Sequence, residues 1–457
     1  MQKQDEKRST FSGKIGFILS AAGASVGLGN IWRFPYLAAK YGGGIFLLVY
    51  IILALTFGYT MIVAETAIGR MTGKSPVGAF AAFGKKRWMK FGGWINAIVP
   101  LLIVPYYSVI GGWVIKYLVE YIKGESAALA SDGYFSAFIS NGVSTELCFL
   151  VFTLLTLFVI FAGVQNGVER VSKVMMPVLV VLSVIIAVYS MTRPGAWEGV
   201  KYFLVPNFEN FSLMTVVAAM GQMFYSLSIA MGILVTFGSY MKKEISIESS
   251  TTSVEIFDTA IAVMAGLMII PAVFAFSGGD PETLQAGPSL MFITIPKVFE
   301  SMGLGNLVGI LFFVLVLCAA ITSSIALSES AVSTFQDELG WSRRKSTVLV
   351  GVIMIALGTL SSLGYGPLGC VKIIGMQFLD FFDFLTNSVM MPIAAITTCL
   401  LVSKVVGISK IEEEVLHGEA TFRRKKIFQF MIRYLCPIFA AVILISSVAN
   451  AFGWISM

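Results

Sequence analysis

Histidine is almost missing from this 457-residue chain: His417 stands alone, in a polar stretch. That argues against histidine-based catalysis and histidine metal centres anywhere in it. Charge is scarce as well, at 13% of residues against 57% hydrophobic, and the mean hydropathy is +0.84. A water-soluble domain of this length does not have that composition. The five cysteines (Cys148, Cys318, Cys370, Cys399 and Cys436) lie in or beside apolar runs and suggest neither a disulfide framework nor a metal cluster. No GxxxxGK[ST] loop is present, which disfavours an ATP-driven pump. Alternating hydrophobicity is also lacking, which excludes a closed barrel. The polar start "MQKQDEKRSTFSGK" carries no leader-like cleavage pattern.

What is present is a series of apolar runs near the roughly 20 residues that cross a bilayer. They read as eleven transmembrane helices: 15–39, 42–69, 90–123, 146–163, 173–192, 213–240, 254–276, 305–335, 346–363, 373–403 and 428–452. The fold class is an all-α polytopic membrane protein. Residues 1–14 are expected to form a cytoplasmic tail, 15–192 a first five-helix repeat, and 193–403 a second, inverted one with an outer loop at 280–303. A cytoplasmic loop at 404–427 and a last helix within 428–457 complete the chain. With the N-terminus inside, 24 of the 32 Lys and Arg fall on the inner side, which sets the orientation and explains the net charge of +6 without nucleic acid. The expected location is the cell membrane.

The first span contains "AAGASVGLGNIWRFPY", three glycines and an asparagine where an unbroken helix should run. The sixth has a matching interruption at "YSLSIAMG", Tyr225–Gly232. In lipid, a non-helical backbone survives only around a cavity or a ligand. Carbonyls freed before such a break can bind a cation, and N–H groups after it can bind a carboxylate. Breaks at matching positions of two inverted halves point to a midplane site in a secondary transporter. Thr322, Ser323 and Ser324 form an unusual hydroxyl triplet in an apolar helix, which also serves helix–helix hydrogen bonding in other membrane proteins.

"GLGNIWRFPY" in the first span, "GQMFYSLS" in the sixth, and "ITSSIA" and "FQDELG" in the eighth resemble the signatures of the neurotransmitter:sodium symporter family, in its bacterial hydrophobic amino-acid branch. The resemblance implies two sodium ions. One would be held by carbonyls of Gly23, Val26 and Ala319 and by hydroxyls of Thr322 and Ser323. The other would use Ser25, Asn30, Ser226 and Asp258, with the substrate carboxylate completing its shell. At the Asp258 position the family usually has an asparagine. The resemblance further assigns the substrate carboxylate to Leu28, Gly29 and Tyr107, and its amino group to Ser25, Tyr225 and Ser228. The side-chain pocket would comprise Ala24, Ile103, Tyr107, Tyr225, Met231, Ser323 and Leu327, with Ser226 close by. Gly27 stands where monoamine carriers of the family have an aspartate, so an amino acid bringing its own carboxylate fits better. The pocket is apolar.

The same resemblance implies an outer gate, Arg33 with Asp383 above Tyr107 and Tyr225, and an inner gate, Arg8 with Asp337 near Tyr240. In "GVERVSKVMMP" it marks Gly167 and Pro177 as a place where the fifth helix unwinds. Glu65 is expected to support the broken first helix. Asp258 is expected to supply the negative charge that chloride provides in animal members. The function implied is chloride-independent, sodium-coupled uptake of bulky apolar L-amino acids, aromatic ones included, by alternating access. No catalytic residue is assigned: an intramembrane enzyme is disfavoured for want of a nucleophile–base pair. An amino-acid sensor and a proton-coupled carrier on the same scaffold are the alternatives.

Overall fold

The computed structural model describes residues 9–84, 86–278 and 288–454, and among these the regular structure is helical throughout. Among the described residues, nine helices are long and apolar enough to cross a membrane. They are α3 (Gly44–Thr72), α4 (Arg87–Lys123), α5 (Gly142–Phe161), α6 (Val164–Met191), α9 (Ile247–Ser277), α10 (Gly305–Leu339), α11 (Arg343–Leu363), α12 (Phe378–Val406) and α13 (Lys425–Ala451). A tenth crossing is the pair α1 (Lys14–Ser25) and α2 (Gly29–Lys40), bent by 54° at its break. The sixth expected span is also divided, into α7 (Leu213–Ser226) and α8 (Ile233–Ser239). That pair is too short in each part to count as a crossing by length and composition, so the described residues hold nine or ten such crossings where the sequence suggests eleven.

Helix starts follow ordinary capping chemistry. Ser246 accepts from the Ser249 N–H ahead of α9, and Ser212 and Thr215 form a reciprocal capping box ahead of α7. The fifth crossing begins at Val164 rather than 173, because a π-helical turn, Val164–Glu169, continues it across a stretch that reads as a loop. Of the expected outer loop 280–303, the described part from residue 288 holds two short helical pieces, Leu290–Thr294 and Ile295–Glu300.

Close approach of the broken segments depends on glycine. At the α3–α8 contact, a Cβ on Gly69 would lie 2.0 Å from the Val235 carbonyl oxygen. One on Gly238 would lie 2.4 Å from that of Thr66. Without a hydrophobic driving force between helices in lipid, such small-residue contacts supply the packing. They press α8 onto α3 and fix the lower edge of the second break.

Candidate functional site

The two breaks face each other in the middle of the bundle. In the first, α1 ends at Ser25, Val26 is extended (ψ 99°), and helix resumes at Gly29. In the second, Ser228, Ala230 and Gly232 all adopt positive φ, at 53°, 60° and 67°. Two of these carry side chains, an unfavourable geometry that persists only where surroundings enforce it. Here the ties are visible. Ser228 Oγ donates to the Ala24 carbonyl at 2.9 Å, and Gln222 Nε2 donates to that of Gly29 at 2.9 Å. The Ala230 N–H donates to Glu65 Oε1 at 2.8 Å. Glu65 therefore supports the second break, whereas the sequence pointed to the first; its other oxygen, Oε2, is buried without a hydrogen-bond partner.

Between the breaks is a small cavity of about 30 Å³. Its walls include Ala24, Ser25, Gly27, Leu28, Gly29, Ile103, Tyr107, Tyr225, Ser226, Ser228, Met231, Ser323 and Leu327, with Asn30 beside them. The structure thus gathers into one enclosure every wall residue drawn from the sequence. The Leu28 N–H points at the Tyr107 hydroxyl, 3.4 Å away. Two of these positions leave little room for a side chain. A Cβ on Gly27 would meet Ser323 Oγ at 2.8 Å, and one on Gly29 would meet the Tyr225 ring at 2.4 Å.

Two oxygen clusters flank the cavity. In the first, Asp258 on α9 has no exposed surface. Its Oδ1 accepts from Asn30 Nδ2 and Ser226 Oγ, both at 2.8 Å, and its Oδ2 from the Tyr50 hydroxyl at 2.9 Å. Every donor is neutral, and no lysine or arginine among the described residues forms an ion pair with this carboxylate. A buried carboxylate without a basic partner makes this cluster a candidate cation or proton site. Tyr50 was missed in the sequence because it carries no motif; only the fold reveals its contact. In the second cluster, Ser323 Oγ lies 3.3 Å from the carbonyl oxygens of Gly23 and Ala24 and 3.4 Å from that of Val26. Thr322 Oγ1 lies 3.1 Å from the Ala319 oxygen. Apart from Asn30, whose amide nitrogen faces Asp258 while its oxygen accepts from the Gly27 N–H at 3.1 Å, both sets gather oxygen atoms, the chemistry of a hard cation.

Above the cavity, Tyr225 covers Gly29, and the Arg33 guanidinium stands 5.3 Å over the Tyr225 ring. Beyond lies a wider cavity of about 380 Å³, lined among others by Arg33, Tyr106 and Asp383. Arg33 and Asp383 share this cavity but form no ion pair. Asp383 instead accepts from Asn387 Nδ2 at 2.6 Å and from Tyr106 OH at 3.2 Å.

The opposite side is sealed. Asp337 accepts from the Ser75 N–H at 2.6 Å; Arg8, its expected partner, lies outside the described residues. Tyr240 donates to Glu329 at 2.8 Å, and Glu329 is gripped by Arg343 at 3.0 and 2.5 Å. Neither Glu329 nor Arg343 was singled out in the sequence. Gly167 lies within the π turn that opens α6, and Pro177 lies inside that helix. His417 is 57% exposed, with its Nε2 3.9 Å from Glu414.

Comparison with known proteins fits this geometry. The chain matches the sodium:neurotransmitter symporter family over residues 8–131 and 136–453. An uncharacterized sodium-dependent transporter of Bacillus subtilis is 34% identical over 448 residues, 97% of this chain and 98% of that one. A sodium- and chloride-dependent GABA transporter of Drosophila melanogaster is 27% identical over 383 residues, 72% of this chain and 40% of that one. The crystal structure of MhsT in complex with L-phenylalanine superposes with a TM-score of 0.86 at 36% identity, covering 96% of this chain and 100% of the other.

Proposed function

Because the chain belongs to the sodium:neurotransmitter symporter family, we propose that it carries bulky apolar L-amino acids, aromatic ones included, across the cell membrane together with sodium. A sodium-dependent transporter with many membrane crossings is what that membership entails. The substrate class is our reading. It is supported by the apolar walls Ile103, Met231 and Leu327, by Gly27 leaving room for a free carboxylate, and by phenylalanine in the MhsT complex.

Asp258 is the observation that carries the proposal. It is a fully buried carboxylate with three neutral donors and no basic partner, adjoining the break that supplies Asn30. Sodium bound there would neutralise it, and a substrate carboxylate at the Leu28 and Gly29 N–H groups would share that ion. Substrate and sodium then stabilise the same state, which is the thermodynamic core of coupling. The second oxygen cluster, at Gly23, Val26, Ala319, Thr322 and Ser323, is proposed as the other sodium site. With a fixed negative charge at Asp258, chloride is not needed to balance the cation. We further propose that the N-terminus is cytoplasmic, that the wide cavity at Arg33 opens outward, and that segments 15–192 and 193–403 form the inverted repeats. Uptake of radiolabelled leucine, phenylalanine or tryptophan into proteoliposomes, with and without a sodium gradient, tests the proposal. Uptake indifferent to sodium would overturn it.

A further inference from the structure

Thr10–Ser12 runs beneath the bundle as a strap, and its middle residue plugs the sealed side. Phe11 has no exposed surface. Its ring packs edge-on against Phe17, Phe237 and Tyr240, with centroids 5.8, 5.5 and 6.0 Å away, and its N–H donates to the Tyr240 carbonyl at 3.1 Å. Phe11 thus closes the space between α1 and α8.

The strap is held chiefly from the first turn of α6. Glu169 is 2% exposed. It accepts from the Ser12 N–H at 2.9 Å and from the Ser12 hydroxyl. Lys173 Nζ lies 2.6 Å from the same carboxylate and 3.1 Å from Ser12 Oγ. Four residues earlier, Gln165 Nε2 donates to the Thr10 carbonyl at 2.6 Å. On α1, Gly16 is flush with the carboxylate, where a Cβ would sit 2.3 Å from Glu169 Oε1. One turn of α6 therefore grips the strap at both sides of the plug and the start of α1 as well.

That turn is the irregular part of its helix. It follows Gly163 at φ 94°, it is π-helical over Val164–Glu169, and the N–H groups of Gly167 and Val168 converge on the Gly163 carbonyl at 3.0 and 3.1 Å. Single π turns inside α-helices accompany functional sites. Gly167 adds backbone freedom, and Pro177 withholds a hydrogen bond further along.

We propose that Gln165 and Glu169 form a clasp through which the opening turn of α6 controls the inner plug. Phe11 stays seated while residues 163–169 keep their π-helical form, and unwinding that turn withdraws both side chains from Thr10 and Ser12 at once. Opening of α6 and departure of the strap are then one event. The inference rests on the alternating-access reading, and both side chains act as positioning residues that touch neither substrate nor ion.

The test uses full-length protein in proteoliposomes, with Ser20→Cys as reporter in a Cys370→Ser background and a membrane-impermeant maleimide. Ser20 is 2% exposed on α1 and should become reachable when the plug leaves. Glu169→Gln keeps the side-chain shape but loses the charge that strengthens its two bonds to Ser12. It is expected to raise the labelling rate about tenfold. Gln165→Ala should raise it by a smaller factor, and Glu169→Asp should restore part of the protection. In the wild type, hydrogen exchange at 10–12 and at 163–169 should rise together when potassium replaces sodium. In Glu169→Gln, exchange should rise at the strap alone.

Unchanged labelling in both Glu169→Gln and Gln165→Ala overturns the clasp, as does wild-type strap exchange that rises while 163–169 stays protected. If Glu169→Gln does not fold, Gln165→Ala and the wild-type exchange remain decisive. A wild type whose labelling ignores sodium counts against the sodium-coupled reading instead, and the variant-to-wild-type ratio in either salt still judges the clasp.

Discussion

Asn30 and Asp258 are 228 positions apart in sequence, yet Asn30 Nδ2 donates to Asp258 Oδ1 at 2.8 Å at the edge of the central cavity. The contact joins the broken first crossing to the unbroken α9. It sets a buried negative charge where the backbone is open, and no basic residue among the described ones forms an ion pair with it. Keeping such a charge buried is costly unless a cation joins it.

Asp258→Asn removes that charge while preserving size. We expect it either to abolish sodium-driven uptake or to make uptake respond to chloride, since a mobile anion could then replace the fixed one. Wild-type uptake should be unaffected when gluconate replaces chloride at constant sodium; a steep fall would contradict the assignment. Tyr50→Phe deletes only one donor to the carboxylate. A hydrogen bond to a charged group contributes about 1.5–3 kcal/mol, so sodium affinity should change by roughly tenfold or more. Sodium titration of substrate binding measures it.

The second oxygen cluster yields an independent test. Thr322→Ala with Ser323→Ala leaves the carbonyls of Gly23, Val26 and Ala319 but removes both hydroxyls. Uptake should collapse while the protein remains folded in the membrane. A double variant with unchanged sodium dependence would remove Thr322 and Ser323 from the ion site.

Much of this site could be read in the sequence because breaking a helix in lipid needs residues that do little else. Gly27, Gly29 and the run Tyr225–Gly232 announce an opening whatever surrounds them. The wall residues then followed from the family resemblance, and they line one cavity. Single polar side chains on otherwise regular helices were not legible. Tyr50 reads as an apolar-face aromatic, and Glu329 as one more polar residue in α10. Their meaning depends on Asp258 and Arg343, which only the packing brings near. Glu65 shows the same limit: its carboxylate could be recognised as buried, but not which break it supports. The early start of α6 was hidden because "VQNGVE" has loop-like composition, and only its π-helical hydrogen bonding keeps it in the helix.

Substrate size follows from the glycine contacts and the apolar wall. Gly29→Ala sets a methyl group 2.4 Å from the Tyr225 ring, and overpacking of this kind costs about 1–3 kcal/mol. Substrate affinity should fall by roughly tenfold or more, with sodium binding affected less. In the wild type, leucine, phenylalanine, tyrosine and tryptophan should compete for uptake far better than glycine, lysine or glutamate. Met231 can repack around different side chains, and no charged residue lines the cavity to receive an ionic one. Competition won by lysine or glutamate would contradict the apolar assignment.

We propose Arg33 and Asp383 as an outer gate; they are not paired in this structure, and that makes their pairing a measurable event. Arg33 rests over Tyr225, while Asp383 is occupied by Asn387 and Tyr106. Both charges face the wide cavity, where water shields them and the attraction between them is weak. Binding of substrate and sodium should carry Arg33 toward Asp383 and expel water from between them. The pair then interacts in a drier medium, where the same Coulomb attraction is several times stronger. Asp383→Asn should therefore leave sodium binding nearly intact, slow uptake, and speed substrate dissociation toward the outer side, because the closed state loses its attraction. The exchange Arg33→Asp with Asp383→Arg should recover part of the uptake lost in either single variant. Substrate dissociation rates measured by rapid filtration decide the matter: equal rates in wild type and Asp383→Asn would show that the two residues do not form the gate.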